Sequence, residues 1–299
     1  MSSFKVARTS VLEMAYEERG KSGGFPCILL HGFPDDVRAW DAVADELARL
    51  DLRIIVPYLR GYGPTRFLSD ETPRSGQQAA LGNDVLELAD SLGLKKLVLA
   101  GYDWGGRAAA IASALKPELV AGLVLAGTNS YPIYKNAPPP PPADFVRTHA
   151  YWYQWFFNLE WGQRALESDR RSLCHYLWKT WSPTWKFDSH LFDATAPSWD
   201  NPDFVEVVIH SYRHRHGNMP GDPRYEATEK KLITGPAIPV PTILLPGAED
   251  RVDLLGEPLG REKFTGRFSR EVVEDAGHFV PRERPKVVVD AIMDLVAKV

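Results

Sequence analysis

Three residues of this 299-residue chain could serve as nucleophile, acid and base, and they occur in that order: Asp103, Asp250 and His278. Asp103 lies in Leu97-Val98-Leu99-Ala100-Gly101-Tyr102-Asp103-Trp104-Gly105-Gly106-Arg107. The apolar run reads as a buried strand and Arg-Ala-Ala-Ala-Ile-Ala as a helix, which leaves Asp103 at the apex of a very tight turn. Glycine at 101 and 105 fits that geometry, because a side chain there would collide across the turn. The helix start supplies amide donors and a positive dipole end, both favourable to an anion. Taken alone, the pattern also suits an ordinary strand-to-helix connection with a capping aspartate. Asp250 ends Gly247-Ala248-Glu249-Asp250 and His278 sits in Ala276-Gly277-His278-Phe279, each just after an apolar run. Both therefore fall at carboxyl ends of strands, where open α/β sheets bind ligands. Glu249 is the alternative acid.

His31-Gly32-Phe33-Pro34 follows another buried run, Pro26-Cys27-Ile28-Leu29-Leu30. The Phe33 amide can donate into an oxyanion hole, whereas Pro34 has no N–H. The Trp104 amide is the expected second donor. Pro34 stands in a tight turn, where a cis bond is expected. His31 reads as structural, since the base position is filled by His278. The nucleophile type sets the reaction class. A carboxylate attacks sp³ carbon, displaces a leaving group and becomes an alkyl ester; activated water then attacks the ester carbonyl, assisted by the oxyanion hole. Suitable substrates are epoxides or alkyl halides, and ordinary ester hydrolysis is disfavoured.

The elements that must position these residues alternate. Strands are expected at 4–8, 11–18, 26–30, 53–57, 96–100 and 120–126. Helices are expected around Trp40, Val43, Leu47 and Leu50, at 77–92 and at 105–116. This rhythm predicts a mostly parallel sheet flanked by helices. It stops at Tyr131 and returns near 238, with strands at 241–247 and 269–274 and a helix from 285. The chain thus divides into an α/β core, 1–130 and 238–299, and a helical cap or lid, 131–237. A five-proline tract at 138–142 reads as a rigid strap into the lid. Most of the nine tryptophans fall between 152 and 199, so an apolar pocket is expected.

HGFP at 31–34, GYDWGG at 101–106, GAED at 247–250 and AGH at 276–278 resemble the α/β-hydrolase-fold epoxide hydrolases, with the haloalkane and haloacetate dehalogenases as close relatives. The resemblance implies the α/β-hydrolase fold with an inserted helical cap. It also implies two lid tyrosines that hydrogen-bond the epoxide oxygen. Tyr153-Gln154 with Phe157 is similar to the first tyrosine motif, and Tyr212-Arg213 to the second. Tyr153 shares a helix face with Phe157, and Tyr212 with Val208 and Phe204. The implied substrate-binding residues are Phe33, Trp104, Tyr153, Tyr212 and Phe279. No cofactor or metal is required, and His214-x-His216 has no third ligand in view. Arg107 is expected to face away from the nucleophile. A dehalogenase with the same nucleophile is the alternative activity; a non-hydrolytic cyclase or ligand-binding protein on this fold is the alternative of another class.

Hydrophobic residues make up 44% of the chain and the net charge is −4, which suits a large folded core and gives no support for a nucleic-acid or anionic-membrane partner. No apolar run reaches membrane-spanning length. Cys27 and Cys174 have no metal or redox spacing and read as reduced core thiols. A cytoplasmic monomer or homodimer acting on a small molecule is expected.

Overall fold

The computed structural model describes residues 4–133, 145–256 and 258–299; the proline tract at 138–142 lies outside them. Nine strands form one sheet: β1 (Lys5–Arg8), β2 (Leu12–Gly20), β3 (Phe25–Leu30), β4 (Leu52–Pro57), β5 (Arg66–Phe67), β6 (Leu97–Gly101), β7 (Val120–Ala126), β8 (Thr242–Leu245) and β9 (Phe268–Arg270). Their order is β1-β2-β4-β3-β6-β7-β8-β9, with β5 on β2. Strands from β4 to β9 along that order pair in parallel; only the pairs made by β2 are antiparallel. Every residue of β6 is buried, as its continuous apolar run requires of a central parallel strand.

The helices are α1 (Asp41–Leu47), α2 (Gln78–Ser91), α3 (Asp103–Leu115), α4 (Phe145–Ala150), α5 (Trp152–Asn158), α6 (Glu160–Trp181), α7 (Ser189–Thr195), α8 (Phe204–Arg215), α9 (Glu226–Ile233), α10 (Val280–Glu283) and α11 (Pro285–Val296). α1 ends before Leu50, contrary to the expected face. The chain turns back through Asp51, whose φ is +55°, and Leu50 is left exposed. From α4 to α9, between β7 and β8, no strand occurs among the described residues. This helical insertion is fastened to the core by polar contacts. Arg60 binds Asp84 of α2 through two 2.7 Å bonds and also donates to Tyr225 at 3.0 Å. Asp36 accepts from Ser198 at 2.5 Å and from Thr195 at 3.1 Å. The Trp178 indole donates to the Pro34 carbonyl at 3.0 Å.

Between β6 and α3 the backbone turns so sharply that a Cβ at Gly101 would lie 2.4 Å from the Gly105 carbonyl oxygen, and one at Gly105 would lie 2.1 Å from that of Leu30. Asp103, at the apex, has φ +48°, a left-handed conformation that non-glycine residues rarely adopt. Gly106 is different, since the nearest atom to a Cβ there would be 3.4 Å away. Gly105→Ala is therefore expected to destabilise the fold by about 2–4 kcal/mol, and Gly106→Ala to be neutral or stabilising by up to about 1 kcal/mol. Denaturant midpoints of the two variants measure the difference.

Candidate active site

Three core loops and the helical insertion converge over the carboxyl edge of the sheet. Asp103 Oδ1 accepts from the Phe33 amide at 2.8 Å. Gly32 permits this approach, because a Cβ there would sit 2.5 Å from Asp103 Cβ. The Phe33–Pro34 peptide is cis. Trp104 occupies the first turn of α3, where amides have no intrahelical acceptor. On the other side, His278 Nε2 faces Asp103 Oδ2 at 3.8 Å, too far for a hydrogen bond. Its Nδ1 donates to Asp250 Oδ2 at 2.9 Å. The other Asp250 oxygen accepts from the amides of Val252 and Asp253 at 2.7 and 3.0 Å. Glu249 instead lies near Arg251, 3.9 Å away.

Burial disfavours a charge on His278, but the Asp250 carboxylate beside it, with Asp103 and Asp253, prevails and lifts it to about 9. The ring is an imidazolium at neutral pH. His31 behaves oppositely. Its Nε2 accepts from the Leu59 amide at 3.1 Å, so Nδ1 carries the proton toward the Gly32 carbonyl, and burial lowers it to about 4. Both its ring nitrogens are engaged in holding the loop.

Tyr153 (α5) and Tyr212 (α8) meet edge to face over this centre, ring centroids 5.5 Å apart. Both phenols are fully buried and held protonated, chiefly by burial and further by the Asp103 charge. The Tyr153 hydroxyl accepts from Gln154 at 3.2 Å. Tyr212 packs on Trp104 and Phe33, with centroids 5.8 and 5.7 Å away.

A sequence model described as "alpha/beta hydrolase fold" matches residues 26–285. The chain belongs to the alpha/beta hydrolase fold family. It is similar to a structure from Klebsiella pneumoniae subsp. pneumoniae MGH 78578, named as a candidate epoxide hydrolase, with 37% identity and a TM-score of 0.90, covering 98% of this chain and 97% of that one. It is 26% identical over 294 residues to the soluble epoxide hydrolase of Corynebacterium sp. (strain C12), covering 92% of this chain and 91% of that protein. A mutant of potato epoxide hydrolase shares the fold at 21% identity and a TM-score of 0.76, over 99% of each chain. Among these relatives the chain is an enzyme, a hydrolase.

The hydrolase positions its loops with residues that sequence reasoning missed. Asp35 binds Arg282 through bonds of 2.8 and 2.5 Å and accepts from the Tyr102 hydroxyl at 2.6 Å. It thereby joins the Phe33 loop, the Asp103 turn and the segment after His278. Glu283 accepts from the amides of Gly277 and Phe279 at 2.9 and 3.1 Å. Ser182, just beyond α6, donates to Glu283 and accepts from the His278 amide at 2.7 Å. These residues carry no motif; only the folded chain brings them together.

A narrow cleft runs beside Asp103, His278 and Tyr153, with a free volume of about 30 Å³, room for about two waters. Two features of this cleft differ from expectation, the place of Arg107 and the character of the lining. Arg107 does not face away; it lines this cleft, because position i+4 on α3 lies on the same helix face as Asp103. Phe279 is not among the lining residues. Its ring packs against Trp178, Trp181, Trp185 and Tyr102. Phe33, Trp104 and Tyr212 pack as an aromatic cluster next to Asp103. The lining is mixed rather than apolar, with Arg107, Thr128, Ser130 and Asp253 beside Tyr131, Pro132, Tyr153 and Val252. The lid aromatics are spent on packing against one another and the core.

Among the described residues no cluster of three histidine, cysteine or acidic side chains could hold a metal ion. His214 stacks on His210, and His216 contacts Gln154 at 3.2 Å. No helix among the described residues is long and apolar enough to cross a membrane.

The His278–Asp250 pair predicts a pH dependence of stability. His278 is raised from 6.5 to about 9 on folding, so its contribution is complete below about pH 6.5 and is lost as pH rises toward 9. Unfolding free energy is expected to decline over that window in the native chain. Asp250→Asn is expected to flatten the decline, as read by denaturant titration at a series of pH values.

Proposed function

We propose that the chain is an epoxide hydrolase that opens the ring to a vicinal diol through an ester on Asp103. The reading assigns the α/β core, 1–130 and 238–299, the triad Asp103, Asp250 and His278 and the oxyanion donors Phe33 and Trp104. The cap, 131–237, supplies Tyr153 and Tyr212. The observation that carries it is the pair of buried, protonated phenols over a carboxylate nucleophile. An epoxide leaves as an alkoxide, which needs an acid, whereas a halide needs none. The names of the similar proteins support the same substrate class.

The proton inventory closes within the site. At rest Asp103 is anionic, His278 is protonated and both tyrosines are neutral. Asp103 attacks a ring carbon, the C–O bond breaks, and the oxygen takes a proton from a tyrosine. The resulting ester has lost the Asp103 charge, so His278 is less basic and returns a proton to the phenolate. Neutral His278 then takes a proton from water, and the hydroxide adds to the ester carbonyl against the Phe33 and Trp104 amides. Collapse expels the alkoxide, which takes the carboxyl proton. Diol leaves with Asp103 anionic and His278 protonated again.

Cys27 and Cys174 are buried free thiols, and burial pushes Cys27 up to about 12. Unreactive reduced thiols suit the cytoplasm, where we place the enzyme.

Asp103→Ala is expected to abolish turnover, and His278→Gln to accumulate an adduct on Asp103 visible by intact-protein mass spectrometry. Tyr153→Phe and Tyr212→Phe are each expected to slow adduct formation from an epoxide by about 10²-fold. Single turnover in ¹⁸O-water should label the Asp103 carboxylate. An enzyme that no epoxide alkylates, or that releases halide from a haloalkane unaffected by either tyrosine change, would sink the epoxide reading.

A further inference from the structure

The loop after β7 and the loop after Asp250 both reach the cleft, and three polar side chains from them line it: Thr128, Ser130 and Asp253. None of the three has a part in the proton inventory above. Asn129 fixes the two loops to each other. Its amide donates to Asp253 Oδ2 at 2.9 Å, and its side-chain nitrogen donates to the Leu254 carbonyl at 3.1 Å. Its side-chain oxygen accepts from Arg270 at 2.7 and 3.0 Å. The other Asp253 oxygen has no hydrogen-bond partner among the described residues, and neither do the hydroxyls of Thr128 and Ser130. Thr128 is 6% exposed, so a hydroxyl without a partner sits on a side chain more than nine-tenths buried. Buried polar groups are nearly always paired, and these share one cleft with the nucleophile.

The chemistry of the three groups narrows the ligand. Burial and the neighbouring Asp250 charge push the Asp253 carboxyl up to about 6, so at neutral pH it is still ionised and only accepts. It calls for a donor. Arg107 lines the same cleft and its charge already acts on Asp253, which opposes a second cation there. A neutral hydroxyl can donate to the carboxylate and accept from Thr128 or Ser130, so it uses both kinds of group.

We propose that Asp253, with Thr128 and Ser130, is a specificity-determining subsite for a hydroxyl group, and that the substrate is a short epoxide carrying a hydroxymethyl group on the ring. This rests on the epoxide hydrolase reading. The substrate hydroxyl donates to Asp253 and accepts from Thr128 while the ring meets Asp103. The narrowness of the cleft selects the shortest members of the class.

The test compares glycidol with 1,2-epoxybutane, in which a methyl group replaces the hydroxyl, on the full chain. The native enzyme is expected to favour glycidol in kcat/KM by at least about tenfold. Asp253→Leu should bring the glycidol-to-epoxybutane ratio to about one or below, and Asp253→Asn should keep part of the preference. Thr128→Val should lower the ratio by about threefold. Any effect of Asp253 on His278 acts on both substrates alike and cancels in the ratio, so a purely structural role would leave the ratio unmoved. A native ratio at or below one, or a ratio unmoved by Asp253→Leu, overturns the proposal. If Asp253→Leu fails to fold, the native ratio and Thr128→Val decide alone. Adduct formation on His278→Gln separates the two readings. Adducts from both epoxides at equal rates overturn the hydroxyl subsite only. An adduct from neither overturns the epoxide reading and the subsite with it.

Discussion

The hydrogen bond from the Phe33 amide to Asp103 joins two loops that lie 70 residues apart in the chain. Adjacent parallel strands bring them together: Leu30 at the end of β3 pairs with Gly101 at the end of β6. The bond then forces local choices on the sequence. Gly32 must lack a Cβ to approach Asp103, and Gly105 must lack one to clear the Leu30 and His31 carbonyls. Asp103 must hold a positive φ to point its carboxylate at the donor. Each requirement is a steric one, and each is met by contacts that cross the turn. Asp35 ties the same loop to Tyr102 and Arg282, so the donor cannot shift without moving the segment that follows His278.

Charge is handled in two ways around this centre. Ion pairs such as Arg60 with Asp84 and Arg282 with Asp35 are buried and geometrically complete. Removing one partner would leave an uncompensated charge in the interior, a larger penalty than the pair is worth intact. They hold the insertion and the loops in a single arrangement. The Asp103, His278 and Asp250 set is different, because Nε2 stops 3.8 Å short of Asp103. Pairing is complete on the Asp250 side and incomplete on the Asp103 side. The imidazole is thus oriented by one carboxylate while its other nitrogen has no hydrogen bond at that distance.

The turn at Asp103 was legible because its signals are local: an apolar strand, two glycines and a helix within eleven residues. The loops of Asp250 and His278 could be read the same way, each as a short motif after an apolar run. Helix limits were close, and the missed end of α1 reflects a left-handed turn at Asp51 that no periodicity encodes. Arg107 was misread for another reason. The helix begins at Asp103 itself, so position i+4 returns to the same face, a spacing that depends on where the first turn starts. Ser182 and Glu283 were invisible because 101 residues separate them and neither belongs to a recognisable pattern. The aromatic richness of the lid misled for a related reason, since composition reports how much apolar surface exists but not which way it faces.

That surface faces inward on itself. Trp178, Trp181 and Trp185 pack with Phe279, and Phe157 and Tyr212 close against Phe33. Rings with two rotatable bonds, packed edge to face, fix their neighbours at low entropic cost. Trp181 lies 5.0 Å from the His278 ring and 4.7 Å from that of Tyr153, so one indole sets the position of groups from both the core and the insertion. Such a wall confines water beside Asp103 and His278 to the narrow cleft and strengthens the charge interactions around them. The cleft beside that wall is mixed, with Pro132, Tyr153 and Val252 next to Arg107 and Asp253.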